Sequence, residues 1–117
     1  MSTLLQKAGA ILTIILFTSL SLFAQAPEKM TYQAVIRDSD NDLVLSQNVG
    51  IRISILQGSN DGTASYVETH AAVTNANGLV SLAIGTGTIV SGTFAAINWG
   101  SGPYFIKTET DPIGGTA

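Results

Sequence analysis

The densest set of potential ligand groups in the chain is Asp38-Ser39-Asp40-Asn41-Asp42, in which carboxylates alternate along one short stretch. Calcium is a hard cation that takes six to eight oxygens, and three carboxylates with the Asn41 amide could begin such a shell. The helix-loop-helix calcium pattern fails, however. Leu43 stands at its glycine position and Val49 at its bidentate glutamate position. The competing reading is a solvated turn whose Asp and Asn side chains cap nearby backbone donors. Asn60-Asp61 could add oxygens only if folding brings that loop alongside. Asp38, Asp40 and Asp42 are therefore the calcium candidates of this sequence.

Other groups with possible chemistry are sparse. His70 is the only histidine, and with no cysteine in the chain it lacks partners for a metal site. As a general base it would need a nucleophile and an orienting group. Ser65, Ser81 and Ser91 exist, but none sits in a Gly-x-Ser-x-Gly elbow. Alternation along the strand puts His70 in register with Glu68 and Tyr66, on what reads as the more polar face. Glu68 and Glu109 could form a glycosidase pair only about 5–10 Å apart across a cleft; their spacing favours surface charge instead. Gly85-Thr86-Gly87 is a fragment of a phosphate loop without its lysine, third glycine or following helix, and reads as a turn.

The aromatic residues are the remaining candidates. Trp99 and Tyr104, with Tyr66 and Tyr32, could offer flat faces on which sugar rings stack. In a small all-β domain large aromatics more often anchor the core, and Trp99 beside Phe94 and Ile97 suits that role. Trp99 and Tyr104 are the candidate ligand residues on the first reading and core residues on the second.

Length and composition narrow the setting. A chain of 117 residues has room for one domain, and the absence of cysteine excludes a disulfide scaffold and a thiol nucleophile. Five basic residues against eight acidic ones leave no basic patch for a nucleic-acid backbone.

The start of the chain reads as an address. Lys7 precedes an uncharged apolar stretch, Ala8–Phe23, followed by the small residues Ala24 and Ala26. This is the plan of a secretory signal peptide. Cleavage after Ala24 is preferred, because Pro27 stands next to the alternative bond after Ala26. As an uncleaved anchor, Ala8–Phe23 would span about 24 Å against a hydrocarbon core of about 30 Å, and no basic cluster follows it. The expected organisation is a signal peptide over 1–24 and one domain over 25–117, exported and without a stable membrane anchor after cleavage.

From Met30 onward the apolar period is two. Val49, Ile51, Ile53 and Ile55 share one face of a strand, with Gly50, Arg52 and Ser54 on the other. β-Branched residues at alternate positions suit a pleated surface against a core. Tyr32, Ala34 and Ile36 alternate with Gln33, Val35 and Arg37 in an earlier strand. Tyr66–Thr74 is extended after the Gly58–Gly62 turn. Asn75-Ala76-Asn77-Gly78 predicts a hairpin that returns Leu79–Ile84 beside that strand, since Asn and Gly tolerate positive φ. Gly85–Thr88 breaks the ladder, Thr93–Gly100 reads as a short helical turn or irregular crossover, and Tyr104–Glu109 is the last strand. About five strands without a helix predict an all-β antiparallel sandwich of immunoglobulin-like or transthyretin-like type. The Gly114-Gly115 turn so near Ala117 reads as an incomplete record, or as a domain completed by further sequence or a partner.

These residues also carry a resemblance. Met30–Asp38, Val49–Ser54, Thr74–Leu79, Ile84–Gly87, Ile97-Asn98-Trp99 and Tyr104–Lys107 together resemble, in order, an N-terminal β-rich module of Bacteroidota secreted and cell-surface proteins of adhesin-like or tail-fibre-like type. The resemblance implies a non-catalytic module with a structural or adhesive role, secreted or at the cell surface. Its implied partners are other surface proteins or downstream domains of the same chain. The alternative is a carbohydrate-binding or calcium-assisted ligand module, with polysaccharide as partner, such as could serve as an accessory domain of a larger enzyme.

Overall fold

The computed structural model describes residues 29–115; the expected signal peptide and both candidate cleavage positions lie outside them. Six strands form: β1 (Met30–Val35), β2 (Asn48–Gln57), β3 (Thr63–Val73), β4 (Leu79–Ile84), β5 (Thr88–Ser91) and β6 (Tyr104–Asp111). All pairings are antiparallel. β1 and β4 make a two-stranded sheet, and the order β5-β3-β2-β6 makes a four-stranded one. The fold is all-β and sandwich-like, as the period-two pattern predicts.

The core lies between the sheets. Val49, Ile51, Ile53 and Ile55 of β2 are buried, and so are Tyr66 of β3 and Val80 and Ile84 of β4. Met30, Tyr32 and Ala34 of β1 pack against this cluster from the opposite sheet. β2 is held on both sides, from Asn48↔Val73 to Gln57↔Thr63 along β3 and from Gly50↔Asp111 to Gln57↔Tyr104 along β6. That central position explains why the longest β-branched run of the sequence lies there: the strand needing most burial is the one paired twice.

The hairpin expected at Asn75–Gly78 is only half right. The turn forms, with Gly78 at φ +80° and the Asn75 side-chain oxygen accepting from the N–H groups of Asn77 (2.8 Å) and Leu79 (3.0 Å). Yet β4 pairs with β1, from Met30↔Ile84 to Val35↔Leu79, and not with β3. β3 already has β2 and β5 as neighbours. The turn is instead tied to the segment entering β2 and the one leaving β1: Ser46 N–H donates to Asn75 O (3.0 Å), and Ile36 N–H to Gly78 O (2.8 Å). Buried Thr74 exchanges bonds with Gln47 at the same point. These contacts carry the chain across the core, so that Val80 and Ile84 face β2 from the other sheet.

β5 is the sixth strand, absent from the sequence reading. The ambiguous Thr93–Gly100 stretch holds one 3₁₀ turn, Phe94–Ala96, and most of a second, Trp99–Ser101. Two irregularities bend the larger sheet: Ser65 is the extra residue where Ile55↔Tyr66 gives way to Leu56↔Ala64, and Val90 is extra in β5. The two-stranded sheet is the narrower. The inner side of β6 is consequently uncovered, and Ile106, in register with core residue Ile55, stays half exposed.

Candidate functional site

The most organised cluster of polar groups sits on the inner face of β3. Register places Tyr66 opposite Ile55, Glu68 opposite Ile53 and His70 opposite Ile51. The face expected to be polar is therefore the one turned to the core. Glu68 is fully buried, and the His70 side chain is only 12% exposed. A carboxyl group in that position needs hydrogen-bond partners to be tolerated. It has three. Gly85 N–H donates to Oε1 at 2.5 Å and Gly87 N–H to Oε2 at 2.9 Å, while His70 Nε2 pairs with Oε2.

The Gly85-Thr86-Gly87 turn thus does present backbone N–H groups to an oxyanion, but the oxyanion is the chain's own side chain. Both glycine types are explained by this approach. Gly85 adopts φ +105°, and a Cβ on Gly87 would stand 2.5 Å from Glu68 Oε2, 2.7 Å from His70 Nε2 and 2.7 Å from Thr69 O. Beside Glu68, the Tyr66 hydroxyl is buried without a hydrogen-bond partner. Burial pushes its pKa up to about 12, helped by the neighbouring Glu68 carboxyl group. The sequence carries no signal that this face turns inward, since Tyr66, Glu68 and His70 read as the more polar side of the strand.

The structure separates Glu68 from Glu109. Glu68 aligns with inward Ile53, whereas Glu109 aligns with Arg52 on the outer face, two strands away. They do not flank a common cleft, and the glycosidase geometry is excluded for this pair. The serines are also apart from His70. Ser81 is exposed on β4 opposite Gln33, Ser91 pairs with outward Val67, and Ser65 lies at the β3 bulge.

Asp38, Asp40 and Asp42 do come together, with carboxylate oxygens within 4.8 Å of one another. Oxygens around one calcium ion lie up to about 5 Å apart, so the spacing suits a cation. The loop also uses its acids internally. Asp38 Oδ1 accepts from the N–H groups of Asp40 (2.9 Å) and Asp42 (3.0 Å), and Asn41 takes φ +64°. Arg37 closes the turn by donating to Asn41 O at 2.9 Å. This is the capping role of Asx residues in turns. Asn60-Asp61 makes its own local contact, Ser59 Oγ donating to Asp61 Oδ1 at 2.7 Å.

Trp99 and Tyr104 belong to a row of edge-to-face rings that closes one end of the sandwich. Centroids are 5.3 Å apart for Tyr66–Phe94, 5.8 Å for Phe94–Trp99 and 5.2 Å for Trp99–Tyr104. Phe94 is buried, and Trp99 packs half-buried against the core. With 65° between their planes, Trp99 and Tyr104 do not form the single flat platform considered from the sequence. Tyr104 alone of the pair lines an open depression of about 330 Å³, together with Gln57, Ser65, Thr93, Asn98 and Ser101. Much of its polar rim is already bonded. Tyr104 Oη donates to Asn98 O (2.7 Å), Gln57 Nε2 to Ser101 O (3.0 Å) and Asn98 Nδ2 to Ser101 Oγ (2.8 Å).

No helix among the described residues is long and apolar enough to cross a membrane. No curated protein and no solved structure matches the chain. A family model matches residues 31–117, nearly the whole of the described fold, and on that match the chain belongs to the family described as a domain of unknown function, DUF8740.

Proposed function

We propose that this domain is a non-catalytic structural or adhesive module of an exported bacterial surface protein, working through its strand edges and loops. The observation that carries this reading is the contrast between inside and outside. The inward acid and base, Glu68 and His70, are spent on each other and on the Gly85–Gly87 turn, whereas β6 carries Phe105 and Ile106 exposed, with no described strand along its outer edge. An open edge offers backbone-driven contact that needs no reaction chemistry. The signal-like first 24 residues and the resemblance to Bacteroidota surface modules support the location.

The test is antibody labelling of intact producing cells against residues 29–115, with attachment compared after their deletion. Labelling of intact cells and loss of attachment are expected. Labelling only after lysis would overturn the surface reading.

A second reading, a carbohydrate-binding or calcium-assisted module, draws on the depression beside Tyr104 and on the Asp38–Asp42 loop. Thermal melting with and without millimolar calcium, and with a polysaccharide panel, separates the two, because binding to the native state raises Tm. An unchanged Tm in every case would remove the second reading.

A further inference from the structure

Asn77-Gly78 is the only Asn-Gly pair in the chain; the other asparagines precede Asp42, Val49, Asp61, Ala76 and Trp99. A side-chain amide closes most readily on the next backbone nitrogen when that residue is glycine, because no Cβ obstructs the approach. Asn77 is exposed to water, whereas Gly78 is buried. A Cβ on Gly78 would stand 3.4 Å from Leu43 Cδ2 and 3.4 Å from Val44 O.

The folded turn opposes that closure. Gly78 N–H donates to Asn75 O at 3.0 Å, which closes the turn Asn75–Gly78. Neither central residue, Ala76 or Asn77, has positive φ. Among regular turns that combination is type I, whose third residue has ψ of about 0°. At that ψ, Gly78 N lies beside the backbone N of Asn77 and away from its Cβ. Ring closure needs the opposite arrangement, with Gly78 N eclipsing Cβ and its proton released from Asn75 O. Asn75 holds the rest of the turn as well. Its side-chain oxygen accepts from the N–H groups of Asn77 (2.8 Å) and Leu79 (3.0 Å). Its own N–H donates to Leu79 O (2.9 Å), and its carbonyl also accepts from Ser46 N–H (3.0 Å).

We propose that Asn77 is a site of spontaneous covalent modification, and that Asn75 keeps it unreactive while the turn is formed. The first step is intramolecular. When the turn opens, Gly78 N attacks Asn77 Cγ and a C–N bond forms. The side-chain nitrogen leaves as ammonia, taking the proton that Gly78 N gives up. Water then opens the cyclic imide at either carbonyl. Opening at the side-chain carbonyl leaves aspartate; opening at the main-chain carbonyl leaves isoaspartate, with the backbone running through Cβ. Either product adds a carboxylate to the turn. The second also lengthens the main chain just before Gly78 O, the acceptor of Ile36 N–H at 2.8 Å. A transient local opening is thereby made permanent.

The experiment is peptide mapping by mass spectrometry of the purified protein after incubation in mildly alkaline buffer, with and without denaturing urea. Amide-to-acid conversion at each asparagine is followed in wild type, Asn75→Ala and Asn75→Asp, and circular dichroism shows which samples are folded. In urea, Asn77 is expected to convert at least about tenfold faster than any other asparagine. In native buffer its rate is expected to fall by about tenfold or more, since only opened molecules react. Asn75→Ala removes the side-chain acceptor and is expected to raise the native rate about fivefold or more. Asn75→Asp keeps that acceptor and is expected to stay within about twofold of wild type.

Equal rates for Asn77 in native buffer and in urea would overturn the protected turn. An Asn77 no faster in urea than the other asparagines would overturn the site itself. A folded Asn75→Ala that converts at the wild-type rate would refute the role of Asn75. If Asn75→Ala does not fold, Asn75→Ser takes its place, because a hydroxyl caps the same turn more weakly. A faster native rate is expected there too, and an unchanged one would refute that role equally.

Discussion

Glu68 Oε2 accepts the N–H of Gly87 at 2.9 Å across 19 residues of chain, and this bond ties the middle of β3 to the turn that joins the two sheets. Gly85 lies directly after β4, in the two-stranded sheet, and Gly87 directly before β5, in the four-stranded one. Glu68 therefore fixes the point at which the chain changes sheet. Buried polar clusters of this kind hold well when every member is satisfied and cost heavily when one is removed.

Removing the acid leaves Gly85 N–H, Gly87 N–H and His70 in a dry setting without their acceptor. Glu68→Ala is expected to destabilise the domain by about 3 kcal/mol or more. Glu68→Gln keeps the shape and one acceptor but turns an amide donor toward existing donors, and is expected to lose about 1–2 kcal/mol. Urea denaturation followed by circular dichroism measures both. A loss below about 0.5 kcal/mol for Glu68→Ala would show that the cluster does not hold the turn.

Gly87→Ala tests the same contact from the other side. The added methyl would press on Glu68, His70 and Thr69 O at once, and backbone cannot move aside cheaply. An expected loss of about 2 kcal/mol or more contrasts with Gly100→Ala, where the nearest atom is Asn98 Oδ1 at 3.4 Å and the change should stay within about 0.5 kcal/mol. Equal midpoints for the two variants would contradict the close approach.

Tyr66 supplies a pH prediction. Its pKa stands at about 12 in the folded chain against 10.0 for the free side chain, so the folded state holds the phenolic proton more tightly. The associated stability is complete below pH 10 and is lost as pH rises from 10 to 12, to an extent of about 2–3 kcal/mol. Tyr66→Phe should lack this part of the alkaline destabilisation. Because the hydroxyl it removes has no partner, that variant should match wild type at pH 7 within about 1 kcal/mol. Denaturation midpoints at pH 7, 10 and 11.5 compare the two, and parallel curves would refute the assignment.

The uneven covering of the larger sheet predicts a gradient of sensitivity along one inward row. Ile53→Ala, at the fully buried centre of β2, should lose about 3–4 kcal/mol by cavity formation. Ile106→Ala, on the same inner face but beyond the reach of the narrow sheet, should lose about 1 kcal/mol or less. Comparable losses would mean that the inner side of β6 is covered.

Much of the fold is legible in the order of residues. The alternation through Val49, Ile51, Ile53 and Ile55 predicts a strand and its buried face, because a pleat sends every second side chain the same way; its place between β3 and β6 is known only from the fold. Asn75 and Gly78 predict a turn, because side-chain capping and positive φ are local properties of those residues. β4's partner was not legible, since Leu79–Ile84 suits either β1 or β3 by pattern. Which strand it joins depends on the bonds of Ser46 and Ile36 to the turn, between segments far apart in sequence. β5 was missed because its four residues, all exposed, carry no inward face to read.

Among the site residues, the closeness of Asp38, Asp40 and Asp42 follows from their spacing in one tight loop. The roles of Glu68, His70 and Gly87 do not. A glutamate and a histidine at alternate positions of a strand look like a solvated face until the opposite sheet is in place, and only packing turns that face inward.

The sequence alone determined the strand class, the buried face of the Val49–Ile55 strand and the positions of the turns, because φ/ψ preference and side-chain alternation act between near neighbours. Only the tertiary structure decided which strands share a sheet, that an acid rather than an apolar residue lies under the Gly85–Gly87 turn, and that β6 stands next to β2 rather than in the smaller sheet. Those are outcomes of distant segments competing for the same hydrogen-bonding partners and the same core, and that competition is settled only when the whole chain is folded.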